Sequence, residues 1–197
     1  MILLDRMHAA PVTMVLIAIN VLIFLIETAA GGSRDTEVAL KFGAQFTPLL
    51  KQRQYFRIIA SMFLHFGFMH LLFNMYALFN IGPTIERIFG SARYLLIYLG
   101  AGIAGNLFTW FLETRTENYR LSAGASGAVF GLMGAYLVLA LMPGLKEYFN
   151  LSNILINIGI NVAYGLQNRH INMAAHGGGL VGGAVISYLL ILLLRHG

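Results

Sequence analysis

The chain has 197 residues, of which 58% are hydrophobic and only 11% are charged. Soluble domains carry about 45–50% apolar and about 25% charged residues, so this composition excludes a soluble globular domain and a disordered chain and predicts contact with lipid. The net charge of +5 comes from basic residues scattered between apolar runs, which indicates anionic lipid headgroups and not nucleic acid as their partner. The chain has no cysteine, so its chemistry must use serine, histidine, asparagine or carboxylates.

The first apolar run, Pro11 to Ala30, has the length of about 20 residues that a helix needs to cross a bilayer. A cleavable signal peptide is the alternative, because Ala29-Ala30-Gly31 offers small residues to a peptidase. Asn20 and Glu27 interrupt the run, and its length favours a membrane span. Residues 31–53 are polar and are predicted to form a long loop.

Five further apolar runs follow the first one. They cover residues 67–87, 94–112, 124–142, 150–167 and 173–194. The alternating strand pattern of a membrane barrel is absent from these runs. The prediction is therefore an all-α membrane protein, a bundle of six transmembrane helices that forms one domain over residues 1–197. No internal repeat is evident, which argues against a transporter with inverted halves.

The basic residues do not decide the orientation of such a bundle. With six spans and a cytoplasmic N-terminus, five of the 13 Lys and Arg residues fall inside and eight outside. The positive-inside rule predicts the reverse distribution. Five of the outer eight lie between the first two predicted spans and count less where that segment lies in the membrane interface. Charge alone leaves the orientation open.

Gly124-Ala125-Ser126-Gly127 opens the fourth predicted helix. The glycines leave the serine sterically accessible, and a helix N-terminus presents unpaired N–H groups and a positive dipole end. These are the components of an oxyanion hole, with the serine as nucleophile. The alternative interpretation is a packing face of small residues, Gly127, Gly131, Gly134 and Ala135.

Ala174-Ala175-His176-Gly177-Gly178-Gly179 leads the sixth predicted helix. His176, Gly179 and Gly183 share one helix face, where the glycines allow another helix to approach closely. The glycine face of the fourth helix is the expected partner, and this packing would bring Ser126 and His176 within hydrogen-bond reach. A histidine with a purely structural role is the alternative.

A serine hydroxyl becomes a good nucleophile when a neighbouring histidine accepts its proton. We therefore predict a Ser126–His176 dyad. No third, carboxylate member is evident, because the candidates lie towards the ends of other spans: Glu27, Glu86 and Glu147. His70 and Asn74 are four residues apart on one helix face and are predicted to stabilise the oxyanion together with the backbone N–H of Ser126.

Other polar residues in the spans have simpler interpretations. Asn106, Asn157 and Asn161 are expected to donate hydrogen bonds to neighbouring helices. Zinc ligation by His65, His70 and His176 is the competing use of the histidines, but no HExxH motif or nearby carboxylate base accompanies them. No metal and no cofactor is predicted.

Taken together, the motifs resemble those of the rhomboid family of intramembrane serine proteases. His70 to Asn74 resembles the family's HxxxN motif, Gly82 to Arg87 its GxxxER motif, Gly124 to Gly127 its GxSG motif, and His176 to Gly183 its HxxGxxxG motif. Phe56-Arg57 is similar to the aromatic-arginine pair at the end of the family's first loop. The four ordered motifs span most of the chain.

This resemblance implies that Ser126 is the nucleophile, that His176 is the general base and acid, and that His70 and Asn74 lie near the oxyanion. It implies a cytoplasmic N-terminus in the cell (inner) membrane, an active site that opens outward, a half-embedded first loop and a lateral gate at the fifth helix. The residue four positions after the serine, often Tyr in bacterial relatives, is Phe130 here, so it keeps the stacking on histidine without the hydroxyl.

The expected function is that of an intramembrane serine endopeptidase. It would cleave transmembrane segments of other membrane proteins through an acyl-enzyme, with the lipid bilayer as its surroundings and no nucleic-acid partner. The alternative is a catalytically inactive rhomboid-like scaffold that binds membrane proteins. A transporter or channel would need a continuous polar path with charged residues at the membrane midplane.

Overall fold

The computed structural model describes residues 10–145, 149–167 and 171–196, and their secondary structure is helical apart from one β-bridge between Gln45 and Ser122. In chain order the helices are α1 Pro11–Ala29, α2 Thr36–Phe42, α3 Thr47–Lys51, α4 Arg57–Ala60, α5 Phe68–Phe89, α6 Ser91–Thr116, α7 Ser126–Leu141, α8 Leu151–Gln167 and α9 Met173–His196. A 3-10 turn at Ser61–Phe63 follows α4. The predicted all-α fold class is confirmed.

Three of these helices are long and apolar enough to cross a membrane, namely α1, α6 and the Met173–Leu194 part of α9. The segment Arg57–Phe63 and helix α5 together form a fourth candidate, bent by 92°. Helices α7 and α8 are apolar but shorter. A multi-pass membrane protein is therefore confirmed. The six long helices of the described residues lie at the six predicted positions, but six complete crossings remain a prediction.

The prediction that residues 31–53 form a long loop is wrong in one respect, because this segment contains helices α2 and α3. Asp35 caps α2 by accepting hydrogen bonds from the backbone N–H groups of Glu37 and Val38. Gly43 ends α2 with a φ of 104°, a left-handed conformation that glycine adopts without strain. Pro48 lies in the first turn of α3, where its missing N–H costs nothing.

Arg57 holds this segment together from inside. Its side chain is buried, and Nη1 donates to the backbone carbonyls of Leu40 and Ala44 at 2.8 and 2.9 Å. Nε and Nη2 both donate to the side-chain oxygen of Gln54. The arginine of the Phe56-Arg57 pair therefore satisfies carbonyls at the end of α2, which gives this pair a structural role.

Helix α7 lies in the centre of the bundle. Eleven of its 16 residues are buried, as expected for a helix that is apolar on all sides. It packs mainly against α6 and α9. At about 1.5 Å per residue α7 is about 24 Å long, which is shorter than the hydrocarbon core of about 30 Å. An end of α7 therefore lies below the membrane surface if the other end reaches it.

Glycines bring α7 and α9 into backbone contact. A Cβ on Gly179 would collide with the carbonyl oxygen of Gly127, and a Cβ on Gly183 would collide with that of Gly131. Gly134 lies in the same way against the backbone of α9. The predicted packing of the two glycine faces is confirmed, and it is compatible with a catalytic role for the residues at the end of the contact.

Glu86, the acidic residue of the GxxxER motif, caps the first helix. Its two carboxylate oxygens accept hydrogen bonds from the backbone N–H groups of Val12 and Thr13 at 2.9 and 2.8 Å. The hydroxyls of Thr13 and Ser91 donate to the same carboxylate. A carboxylate at a helix N-terminus satisfies free N–H groups and interacts favourably with the helix dipole. Glu86 thus joins α1 to the turn between α5 and α6.

We expect Glu86→Gln to lower the free energy of unfolding by about 1–3 kcal/mol, because the amide NH₂ would face backbone donors that the carboxylate now satisfies. Unfolding of the purified protein in mixed detergent micelles measures this change. Glu117→Gln is the matched control, because Glu117 is exposed and its replacement should cost less than about 0.5 kcal/mol. Equal stability of the two variants would contradict the capping role.

Candidate active site

Ser126 is the first residue of α7 and is partly exposed. The preceding Gly124 has a φ of 134°, a conformation that L side chains rarely adopt, and its N–H donates to the carbonyl of Ser61 at 2.9 Å. The residue before the helix, Ala125, provides no side-chain cap, and the N–H of Val129 donates to the Ala125 carbonyl at 3.0 Å. N–H groups of the first helical turn have no carbonyl partner within the helix, so this end can bind an anionic oxygen.

His176 lies in the first turns of α9 and is 7% exposed. Its ring stacks on the ring of Phe130, with the centroids 4.1 Å apart and the planes 16° from parallel. The predicted stacking of Phe130 on this histidine is therefore confirmed. Within the described ranges, Nδ1 of His176 is buried and has no hydrogen-bond partner, so aromatic packing orients this ring.

Asn172 fixes the start of the helix that carries His176. Its Oδ1 accepts the backbone N–H of Ala175 at 3.0 Å and the hydroxyl of Thr109 at 3.3 Å. Its Nδ2 donates to the hydroxyl of Ser122 at 2.8 Å, in the segment that leads to Ser126. Asn172 is not among the residues predicted from the sequence, although an asparagine directly before an apolar helix is a typical N-cap signal.

His70 lies beside the serine. A Cβ on Gly124 would be 2.8 Å from both Cε1 and Nε2 of His70 and 3.7 Å from Oγ of Ser126. The backbone N–H of Phe66 donates to Nδ1 of His70 at 3.3 Å. Because Nδ1 accepts this bond, the hydrogen of the neutral ring is on Nε2. The ring therefore directs an N–H donor towards the small space at Gly124.

Asn74 is buried one helical turn after His70. Its amide Nδ2 donates to the His70 backbone carbonyl at 2.9 Å, which uses one of the two amide hydrogens. The other hydrogen is free to serve a further acceptor. The structure thus places His70 and Asn74 on one face of α5, as predicted.

His65 and Glu27 form a second buried pair next to this site. Glu27 accepts the backbone N–H of His65 at 3.3 Å, and both residues are 0% exposed. The His65 ring meets the His70 ring edge-on with centroids 5.1 Å apart. No three histidine, cysteine or acidic side chains of the described residues converge as metal ligands. The pair therefore packs against His70.

The carboxylates considered as a third catalytic member have other partners. Glu86 binds the N-terminus of α1, and Glu27 binds the backbone of His65. Glu147 lies outside the described residues. Glu27 and Glu86 therefore do not serve as a third member of the predicted dyad.

The three asparagines expected to bond to neighbouring helices differ in their partners. Asn106 is buried and donates to the carbonyl of Ile58 and the hydroxyl of Ser61, which joins α6 to the segment before α5. Asn157 and Asn161 instead donate to carbonyls four residues earlier in their own helix, α8. The expectation of bonds to a neighbouring helix is wrong for these two, because each amide donates instead to the carbonyl one turn earlier in its own helix.

Comparison with known proteins assigns the family. Residues 52–193 match the model of the rhomboid domain. The chain is 39% identical over 173 residues to the rhomboid protease GluP of Bacillus subtilis (strain 168), covering 87% of this chain and 33% of GluP. It is 35% identical over 186 residues to YdcA of the same strain, covering 92% of this chain and 89% of YdcA.

A third relative is the rhomboid protease AarA of Providencia stuartii, which is 30% identical over 209 residues, covering 93% of this chain and 74% of AarA. The chain spans about a third of GluP but most of YdcA and AarA. The resemblance deduced from the four motifs is thus confirmed over most of the chain, which belongs to the rhomboid family of intramembrane serine proteases.

Proposed function

We propose that this protein cleaves transmembrane segments of other membrane proteins with a dyad of Ser126 and His176. The observation that carries this proposal is the backbone contact of α7 with α9, made through Gly127 and Gly179. It joins the helix that begins at the serine to the helix that bears the histidine. Phe130, on the serine's helix, stacks on the ring of His176 and supports the same pairing.

In the acylation step, His176 accepts the proton of the Ser126 hydroxyl while Oγ attacks the carbonyl carbon of the scissile peptide bond. The tetrahedral intermediate collapses when protonated His176 gives this proton to the leaving amine, and the C–N bond breaks. In the second step, His176 takes a proton from water, and the hydroxide attacks the ester carbonyl. The new carboxylic acid leaves as Ser126 recovers its proton.

The oxyanion is stabilised by donors that are already in place. The backbone N–H of Ser126 belongs to the free first turn of α7, and Nε2–H of His70 lies beside Gly124. Asn74 supplies its second amide hydrogen. Donors of this kind act strongly because they need little reorganisation during the reaction.

The substrate must expose a peptide carbonyl to this site. A helix in lipid hides its carbonyls in hydrogen bonds, so segments that unwind easily are the preferred substrates, and family resemblance favours a small residue before the cut. We place the protein in the cell (inner) membrane with a cytoplasmic N-terminus and with the Ser126 end of α7 facing outward. Helix α8, which exposes Leu155, Ile156 and Ile160, is the proposed lateral gate.

The inactive scaffold is the second candidate, and no specific observation favours it. The chain keeps both Ser126 and His176, and relatives over most of its length are named proteases. Proteoliposomes that contain the enzyme and a test protein with one transmembrane helix separate the two candidates. A protease produces two fragments, cut within or beside the helix, whereas a scaffold binds the test protein and leaves it whole.

His70→Ala should lower kcat by about 10²–10³-fold with little change in KM, because it removes one oxyanion donor that acts mainly in the transition state. Cleavage kinetics in detergent measure both constants. His196→Ala changes a histidine at the far end of α9 and is the matched control, which should keep its kcat. A kcat of His70→Ala equal to that of the control would rule out His70 as an oxyanion donor.

A further inference from the structure

An open groove of about 340 Å³ lies on the outside of the bundle, between the end of α3 and the C-terminal half of α6. Its lining consists of Lys51, Leu107, Trp110, Phe111, Thr114 and Arg115. Leu107 and Phe111 are exposed apolar side chains. Arg115 lies in the last turn of α6, and Lys51 is the last residue of α3. The groove is separate from the Ser126 site.

The groove changes from apolar to cationic along α6. Leu107 and Arg115 are about 12 Å apart along the helix axis at about 1.5 Å per residue. Arg115 is in the last turn of α6, and the segment after it leads directly to Ser126, so the cationic end is on the active-site side of the membrane. A lipid with an apolar acyl chain and a negatively charged headgroup would match this change from apolar to cationic along the groove.

Both cations are held in place by aromatic rings. Lys51 Nζ donates to the hydroxyl of Tyr119 at 2.7 Å and lies 4.8 Å from the centre of that ring. The guanidinium of Arg115 lies 5.3 Å from the centre of the Phe111 ring. Within the described part of the chain, neither cation forms an ion pair with a carboxylate. The nearby Glu113 is buried and accepts bonds from Thr47 and the Arg120 backbone.

Aromatic residues with basic neighbours are typical of the level of lipid headgroups. Here Trp110 also contacts Tyr55, with ring centroids 5.9 Å apart, so an aromatic pair lies between Leu107 and Arg115 on the α6 side of the groove. Basic side chains that lack acidic partners at this level attract anionic headgroups. A zwitterionic headgroup brings its own positive charge and gains less from them.

We propose that the groove between α3 and α6 binds one anionic phospholipid. The phosphate lies at Lys51 and Arg115, and an acyl chain lies along Leu107 and Phe111. The site selects anionic over zwitterionic lipid in the leaflet on the active-site side.

Trp110 offers a direct measurement, because it is the only tryptophan in the chain. The full-length protein in detergent micelles is titrated with phosphatidylglycerol or phosphatidylcholine whose acyl chains carry bromine, which quenches tryptophan fluorescence on contact. We expect half-maximal quenching at a lower mole fraction of phosphatidylglycerol. In Lys51→Gln/Arg115→Gln this mole fraction should rise about 25-fold, because each basic side chain near an anionic lipid contributes about 1 kcal/mol, or about fivefold.

Lys41→Gln/Arg93→Gln is the matched control, because it removes two exposed basic side chains outside the groove. It should keep the preference for phosphatidylglycerol. Equal quenching of wild type by the two lipids would overturn the proposal, and so would a preference that survives in Lys51→Gln/Arg115→Gln. Loss of quenching by both lipids as the ratio of protein to detergent rises would also overturn it, since a second copy of the chain would then cover the groove.

Discussion

Ser126→Ala is expected to lower kcat/KM for a transmembrane substrate by at least about 10⁴-fold, the size of loss seen when a serine protease loses its nucleophile. The variant should fold normally, because Ser126 is partly exposed and its side chain does not cap α7. Appearance of the two cleavage fragments in proteoliposomes measures the loss. Ser152→Ala is the matched control, since Ser152 is an exposed serine at the start of α8.

The two members of the proposed dyad should behave as one unit. His176→Ala, Ser126→Ala and the double variant are expected to have the same residual activity within about tenfold, because removing either group stops the same proton transfer. Losses that multiply in the double variant would mean that the two residues act independently. Activity of Ser126→Ala close to that of Ser152→Ala would exclude the serine as nucleophile.

The second large effect is expected from a single methyl group on α9. Gly179→Ala places a Cβ against the backbone carbonyl of Gly127, and backbone has no rotamer with which to move away. Overpacking of this kind costs about 1–3 kcal/mol or more. The two helices must separate, which displaces His176 relative to Ser126. We therefore expect lower stability and a loss of cleavage that exceeds the loss of folded protein.

Gly177→Ala tests whether this effect belongs to the helix contact. Gly177 is next to His176 in the sequence, but a Cβ there has no heavy atom within 4 Å. Alanine is favoured over glycine in helices by about 1 kcal/mol, so this variant should be at least as stable as wild type and should remain active. Unfolding in mixed micelles and cleavage rates compare the pair. Equal effects of the two substitutions would contradict glycine-mediated positioning.

Features set by nearby residues could be predicted from the sequence. The start of α7 at Ser126 follows from the glycine at 124, and the start of α9 follows from the change in polarity before Met173. The contact between these helices could be predicted because small residues recur on one face of each helix. The stacking of Phe130 could be predicted from the family resemblance.

Features that depend on distant partners could not be predicted. Glu86 and Val12 are 74 positions apart, so the capping role of Glu86 depends on α1 and α5 being neighbours. Arg57 likewise binds carbonyls at the end of α2. This helix was not predicted, because the polar composition of residues 31–53 is typical of a loop. Asn172 has the local sequence signal of a helix N-cap, but its hydrogen bond to Ser122 depends on the tertiary fold. Such residues join segments that are distant in the sequence.

Reaction with a fluorophosphonate measures activation of the serine without any substrate. Peptide mass spectrometry of the labelled wild-type protein should locate one adduct, on the Ser126 hydroxyl oxygen, and His176→Ala should remove nearly all of it because the base is lost. Labelling of Ser126 at the same rate in His176→Ala, or no labelling of Ser126 in the folded wild-type protein, would show that this histidine does not activate this serine.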